Sequence, residues 1–281
     1  MSGELFTTRN HSSTSARQLN LALRNCGAHD CSILFVHSGL NFGTPRASRT
    51  EILNTIASSL IELGTATLCL PTYTFSFINQ EVFDPDNTPG RMGALSEFFR
   101  KLPAAVRSPD PLMSVTVLGQ HSALATAVGS ESCGKNSTFH LLRQLEGVKF
   151  LFLGVRPQDC FTYMHYLEYE ANVPYRFNRT FQGKIRTNNT EKSAAATLFV
   201  RYPGVFPGPG NADYEQQLLD NGIATQTPFG DHFIQCLPEA PARLLWLSLL
   251  HQNPCYFLKN PFTPPPDPNS DFEHALPMVA M

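Results

Sequence analysis

The chain has 281 residues and a formal charge of −2, with only 16% charged side chains. That is ample length for a sizeable core, and so even a charge balance leaves no electrostatic footprint for nucleic acid. The seven cysteines never stand in CxxC spacing, which argues against a structural zinc site and reads as a reduced, cytoplasmic protein.

Residues 1–16 are polar and lack the apolar stretch of a secretory signal, so they read as a flexible arm. No apolar run reaches the roughly 18 residues a membrane span needs. ARQLNLALRNCG predicts a helix closed by Gly27. CSILFVHSGL reads as a buried strand opening into a polar loop. In SRTEILNTIASSLIEL the apolar residues recur at helical spacing, and Ser48 with Glu51 forms a capping box. TATLCLPTYTFSF is a second buried strand, stopped by Pro71. GALSEFFRKL is a short amphipathic helix, SVTVLG a third strand and HSALATAVG a helix. STFHLLRQLEG is another helix, and VKFLFLG a fourth strand. Strands and helices thus alternate over the first two-thirds, which predicts an α/β architecture with helices on a largely parallel or mixed sheet.

The last third differs. FQGKIRT and ATLFVRYPG read as extended strands, and NADYEQQLLDNG as a helix stopped by Gly222. DHFIQCL is a further strand, and APARLLWLSLLHQNP a strongly apolar helix. A single domain is expected over 17–260, with a Pro-rich tail over 261–281.

Just past the fourth strand stands TYMHYLEYE, residues 162–170. As a helix, it puts Thr162, His165, Glu168 and Tyr169 on one face. His165 and Glu168 are neighbours across one turn. A carboxylate beside an imidazole fixes its tautomer or favours its protonated form, which prepares a general base. The plain alternative is a surface helix with a chance His–Glu pair. Three further polar segments follow strands or precede them: His37–Gly43, Pro71–Phe75 and Arg107–Ser114. Strand ends are where ligands sit in sheets of this class, so the four segments can share one cleft. Competing motifs are absent from the sequence. There is no GxSxG elbow, no GxGxxG, no GxxxxGK[ST] and no HExxH.

The order of motifs resembles the aminoglycoside 3-N-acetyltransferase family. The similarity is carried by ILFVHSGLNFG, LCLPTYTFSF, FDPDNTPGRMGALSEFFRKLPAAVRSPDPLMSVTVLG, KNSTFHLLRQLEGVKFLFLGV and TYMHYLEYEANVPYRF, across roughly residues 17–258. The resemblance implies an α/β/α sandwich distinct from the GNAT acetyltransferases, with acetyl-CoA as donor and no metal. It implies His165 as the catalytic base and Glu168 as its partner. It implies coenzyme contacts at His37, Ser38 and Leu40, at Thr72 and Thr74, at Arg107, Ser108 and Ser114, and at Ser137. Two positions depart from the family pattern. Asp110 replaces the histidine of RSxHPxxS, and Gly39 replaces the second serine of HSSL. The Asp form looks like a branch acting on sugars or other metabolites.

An ammonium cannot attack a thioester, so a base must remove its proton, and a histidine suits that task near neutral pH. Cys160, five residues before His165, is the candidate for a covalent carrier, although lone cysteines are usually packing residues. Arg100, Lys101 and Arg107 are candidate partners for the coenzyme phosphates; for Arg100 and Lys101 the alternative is a solvated helix end. On the acceptor side, Asp84, Asp86, Asp110, Asp159 and Glu170 are candidates for a local acidic patch, and Tyr73, Phe75, Phe77, Tyr163, Tyr166 and Tyr175 for an aromatic wall, the plain alternative being core packing. The expected acceptor is a small amine: an amino sugar, a nucleotide-linked amino sugar or a natural-product intermediate. Another acyl donor, or an intramolecular acyl transfer, is the competing chemistry, and a non-catalytic binder the third. A monomer or homodimer is expected, with no nucleic-acid or membrane partner.

Overall fold

The computed structural model describes residues 3–263, so most of the Pro-rich tail lies outside the described residues. In chain order the elements are β1 (Glu4–Thr7), β2 (Ser13–Ser15), α1 (Ala16–Asn25), β3 (Ile33–Ser38), β4 (Thr44–Pro45), α2 (Arg49–Ile61) and β5 (Thr67–Pro71). Next come α3 (Ala94–Arg100), β6 (Val106–Arg107), β7 (Val115–Gly119), α4 (Ala123–Thr126), α5 (Thr138–Arg143) and β8 (Val148–Leu153). The chain continues through α6 (Pro157–Cys160), α7 (Met164–Glu170), β9 (Arg176–Thr187), β10 (Thr190–Arg201), α8 (Gly210–Asp220), β11 (Thr225–Phe229), β12 (His232–Pro238) and α9 (Glu239–Gln252).

Local signals explain the helix starts. Ser48 donates its backbone N–H to Glu51 Oε2 at 2.9 Å, and its Oγ accepts the Glu51 N–H at 3.3 Å. The same reciprocal cap joins Ser15 and Gln18 at the start of α1. Past the end of that helix, Gly27 takes φ +79°, a turn that glycine enters without a Cβ penalty.

The expected flexible arm is instead structured. β1 pairs antiparallel with β2 and with β4 in a three-stranded sheet. Leu5 and Phe6 are buried, with the Phe6 ring 5.7 Å from that of Phe42. Two apolar residues on a four-residue strand are too few to leave a period in the sequence, yet enough to dock it.

The main sheet has seven strands in the order β11-β12-β8-β3-β5-β7-β6. It is mixed, as expected. Its parallel part is the centre, where β3 pairs with both β5 and β8, and the flanking pairs are antiparallel. Side chains alternate across it. Ile33, Phe35, Val148, Phe150 and Cys69 enter one core. Leu34, Val36, Leu151, Leu68 and Leu70 enter the other. Helices α1, α2 and α3 cover the second face, while α5, α7, α8 and α9 contribute to the first. Buried on both faces, the central strands carry continuous apolar runs. β9 and β10 form a separate two-stranded hairpin in full antiparallel register.

This topology places the site. β3, β5 and β8 run in one direction, so Ser38, Pro71 and Leu153 end on one edge, with Ser38 opposite Leu153. β7 runs the other way and brings Val115 opposite Pro71. The four polar segments therefore gather at the carboxyl edge of the parallel strands, the usual ligand position in open α/β sheets.

Candidate active site

Helix α7 begins at Met164, and Thr162 lies in the turn before it. Its inner face is anchored. Tyr163 donates its hydroxyl to Glu239 Oε1 on α9 at 2.5 Å. The Tyr166 hydroxyl lies 3.0 Å from His140 Nδ1 on α5. Phe150 and Phe161 pack against Tyr163 beneath it. The other face carries the polar row. Thr162 Oγ1 is 2.7 Å from the buried Tyr73 hydroxyl, which ties the turn to the loop after β5.

His165 Nδ1 lies 3.0 Å from Glu168 Oε2, and the carboxylate is buried while the imidazole is partly exposed. Two residues complete the cluster: Tyr175, from the expected aromatic set, and Arg176, which the sequence reading did not single out. Tyr175 donates its hydroxyl to Glu168 Oε1 at 2.9 Å. Arg176, the first residue of β9, places Nε 2.8 Å from Glu168 Oε2 and Nη2 2.9 Å from His165 Nδ1. Its Nη1 donates to the Phe199 carbonyl at 2.8 Å. Burial alone would raise the Glu168 pKa, but Arg176, His165 and Tyr175 together hold it below the usual carboxylate range. Burial, then the charge of Arg176, pulls the His165 pKa down, so the ring is neutral at neutral pH.

A neutral ring has one N–H. If Nδ1 carries it, the bond goes to Glu168 and Nε2 keeps a free lone pair. If Nδ1 is bare, it accepts from Arg176 and Nε2 carries the proton. The first tautomer is a base toward a substrate at Nε2; the second is a donor. The cluster thus holds a proton between two arrangements. Arg176 follows the H..E motif closely in VPYRF, yet no spacing rule joins it to a helix ending at Glu170.

The β5–β7 side is built differently. The Thr72 hydroxyl donates to the Ser114 carbonyl at 3.2 Å, and Thr74 donates to the Pro111 carbonyl at 2.9 Å. Ser114 Oγ donates to the Thr72 carbonyl at 2.7 Å. Ser108 Oγ accepts the Val115 N–H at 2.9 Å. Ser137 caps α5, accepting the His140 N–H at 3.2 Å. All five side chains are buried, and Thr72, Thr74, Ser114 and Ser137 donate their hydroxyls to backbone carbonyls, so these four shape the edge.

Arg107 also differs from its expected role as a phosphate partner. Its Nε donates to Ser114 Oγ at 3.1 Å, Nη1 to the carbonyls of Pro85 and Thr88, and Nη2 to that of Thr72 at 2.6 Å. The guanidinium lies 5.2 Å from the centre of the Phe83 ring. Four of its five N–H donors are thereby engaged, and burial pushes its pKa down to about 10. Arg107 is a clamp across three loops. Arg100 makes a two-pronged pair with Glu97 at 2.8 and 2.7 Å, and Lys101 lies 3.1 Å from the same carboxylate. Those two belong to the helix end.

His37 is buried at the end of β3, its ring stacked 5.2 Å from Phe152 and 5.1 Å from Phe35. Burial pushes its pKa down to about 3. The ring packs as wall between those two phenylalanines, and its buried Nε2 has no hydrogen-bond partner among the described residues. Ser38, Gly39 and Leu40 turn away from the sheet beside it, and both N–H groups of Gly39 and Leu40 donate to the Leu153 carbonyl. Leu40 at φ +54° and Phe75 at φ +53° hold left-handed backbone that bulky residues rarely adopt.

The expected acidic patch does not assemble. Glu170 leaves the His165 face and pairs with Arg143 at 3.7 Å. Asp159 is exposed on α6, beside the Gln158 amide. Asp110 is buried, accepting the Leu112 N–H at 2.8 Å and the Ser132 hydroxyl at 3.0 Å, and burial raises its pKa. Its charge reaches Tyr73 and Cys133, so it stands behind the site. Cys160 donates its thiol to the Arg156 carbonyl at 3.4 Å. Burial, with Asp159 and Glu215 nearby, raises its pKa and suppresses the thiolate. Among the described residues no helix is long and apolar enough to cross a membrane.

Solved structures share the architecture. AAC-IIIb in a binary complex with CoASH superposes with a TM-score of 0.73 at 19% identity, over 85% of this chain and 97% of that one. AAC-VIa bound to sisomicin gives 0.71 at 20% identity, over 85% and 98%. The YokD protein from Bacillus subtilis gives 0.68 at 16% identity, over 90% and 96%. At these identities the likeness establishes the fold. The sequence match goes further, because the model of the aminoglycoside 3-N-acetyltransferase family covers residues 35–242, well over half of the chain. The chain is therefore an acyltransferase that belongs to the aminoglycoside 3-N-acetyltransferase family.

Proposed function

We propose that the protein transfers the acetyl group of acetyl-CoA directly to a primary amine of a small molecule, with His165 as general base. The observation that carries this reading is the pairing of a partly exposed imidazole with a buried carboxylate at 3.0 Å. The CoASH complex of AAC-IIIb supports the donor. Sisomicin on AAC-VIa supports a small-molecule amine as the acceptor class. For this chain the acceptors considered are an amino sugar, a nucleotide-linked amino sugar or a natural-product intermediate.

Ser38, Gly39 and Leu40 are the residues best placed to hold the acyl-thioester arm. Gly93 lies across from them, and a Cβ added there would meet nothing nearer than the Ser38 carbonyl at 3.8 Å. That bare backbone leaves room for an extended arm.

In the active tautomer Glu168 accepts the Nδ1 proton, and Nε2 of His165 removes a proton from the acceptor ammonium. The freed nitrogen lone pair attacks the thioester carbonyl, and its electrons move onto the oxygen. Collapse of that intermediate expels the thiolate, which takes up the second proton lost by the nitrogen as the amide forms, and the proton held on His165 passes to solvent. The suppressed thiolate of Cys160 favours this direct route over an acetylated enzyme. Thiol release with acetyl-CoA and a panel of amines tests the reading. His165→Ala is expected to lower kcat by about 10²–10⁴-fold while the protein stays folded. Turnover by His165→Ala near the wild-type rate would overturn it.

A further inference from the structure

On the reading that this edge acetylates an amine, we infer that the acceptor also carries a carboxylate or phosphate, and that Arg201 binds that anion. The inference starts from strand register. Arg201, the last residue of β10, stands directly opposite Arg176, the first residue of β9. Residues opposite each other in an antiparallel pair point to the same face, and like charges so placed repel. Two arginines therefore share the hairpin face that meets His165.

Only Arg176 is held by direct contacts. Arg176 is held by Glu168, His165 and the Phe199 carbonyl. Among the described residues, no hydrogen bond or ion pair engages the Arg201 guanidinium. It is near enough for its charge to act on His165. Burial of its environment, and then the charge of Arg176, disfavours its protonated form. An exposed cation that faces a like charge, with no side chain among the described residues engaging it in the free protein, is one that an anion would stabilise.

The charge inventory points the same way. Arg176, Arg201 and one carboxylate, Glu168, face His165. Asp110 is buried and turned to the Leu112 N–H and the Ser132 hydroxyl. Glu131 bridges β10 at Thr197, about 13 Å along the strand from Arg201, and its charge reaches Tyr169 at the far end of the α7 face. Glu170 and Asp159 are elsewhere. The two arginines that face His165 across the hairpin thus favour an amine with an anionic arm over a polycation. The phosphates of coenzyme A do not meet this need, because a whole pantetheine arm separates them from the thioester.

Matched amines test the inference. Binding of glucosamine 6-phosphate against glucosamine, and of β-alanine against its amide, would be titrated into the wild-type, Arg201→Gln, Arg201→Lys and His165→Ala proteins. At least one anionic member should bind about tenfold more tightly than its uncharged partner, with a preference that weakens in salt. The preference should disappear in Arg201→Gln and survive in Arg201→Lys and His165→Ala. The phosphate and carboxylate pairs tell the two anions apart. Equal or undetectable binding of both anionic amines, tighter binding of sisomicin, or a preference unchanged in Arg201→Gln would each overturn the inference. Preference in binding without any thiol release would instead remove the acetyl-transfer reading and leave the anion site standing.

Discussion

Two sides of one sheet edge use similar polar residues to opposite ends. Between β5 and β7, Thr72, Ser114, Ser108 and Arg107 close their hydrogen bonds on one another and on nearby carbonyls. Between α7 and β9, the bonds do not close. His165 Nδ1 lies between a carboxylate and a guanidinium that require opposite protonation states of it, and Arg201 adds a second cation on the same hairpin face. Closed networks make a rigid frame; open ones leave a proton and a charge free to respond to a ligand. The frame holds the loops, and the chemistry belongs to the side that is locally unsettled.

The largest test of this contrast is Glu168→Gln. Removing the carboxylate strands the Arg176 guanidinium and favours the tautomer in which Nδ1 accepts from it. Turnover is expected to fall about 10²-fold, and stability by about 3–5 kcal/mol, as when a buried pair loses one partner. Thiol release gives the first and a urea midpoint the second. A variant that keeps full turnover would place the working proton elsewhere.

A smaller effect should appear in the pH dependence of stability. His37 has a folded pKa near 3 against an ordinary value of 6.5. Between those values the unfolded chain binds the extra proton, so this group's contribution is full above pH 6.5 and is lost as pH falls toward 3. At 1.36 kcal/mol per pH unit, about 3 kcal/mol is lost by pH 4. His37→Phe, which keeps the stack on Phe152, should flatten the profile by that amount over pH 4–6.5. A profile with the wild-type slope would mean that His37 titrates freely and is not wall.

Arg107→Met separates clamp from phosphate ligand. A clamp predicts a loss of about 2–3 kcal/mol, because several carbonyls lose their donor, with KM for acetyl-CoA unchanged in the folded fraction. A raised KM at unchanged stability would restore the phosphate role. This is also where the sequence was least legible. The RS..P..S motif located the loop correctly, but motifs mark position and cannot tell a side chain that faces a ligand from one that fastens the loop. The central strands were legible, because burial on both faces leaves continuous apolar runs such as ILFV and FLFL. So was the His165–Glu168 pair, because helical spacing is local. Arg176 and Arg201 were not: their relation to His165 depends on how a long hairpin docks, and on a register that only the fold supplies.

The smallest expected effect concerns Gly39, where the family pattern has serine. A Cβ here would lie 2.9 Å from the Gly154 carbonyl oxygen, 3.0 Å from Asn41 Nδ2 and 3.1 Å from Val155 Cβ. Asn41 donates to that same carbonyl at 3.1 Å, and its exposed amide can swing away. The Gly154 backbone cannot, since φ +63° and a close Phe42 ring confine it. Gly39→Ser should therefore cost about 1–2 kcal/mol, in the range of other overpacked sites. Adding Asn41→Ala opens space on one side only, so it should recover part of the loss and not all of it. Full recovery in the double variant would identify Asn41 as the whole obstacle. No loss in the single variant would mean that this loop yields easily, and the closed frame would then stop short of β3.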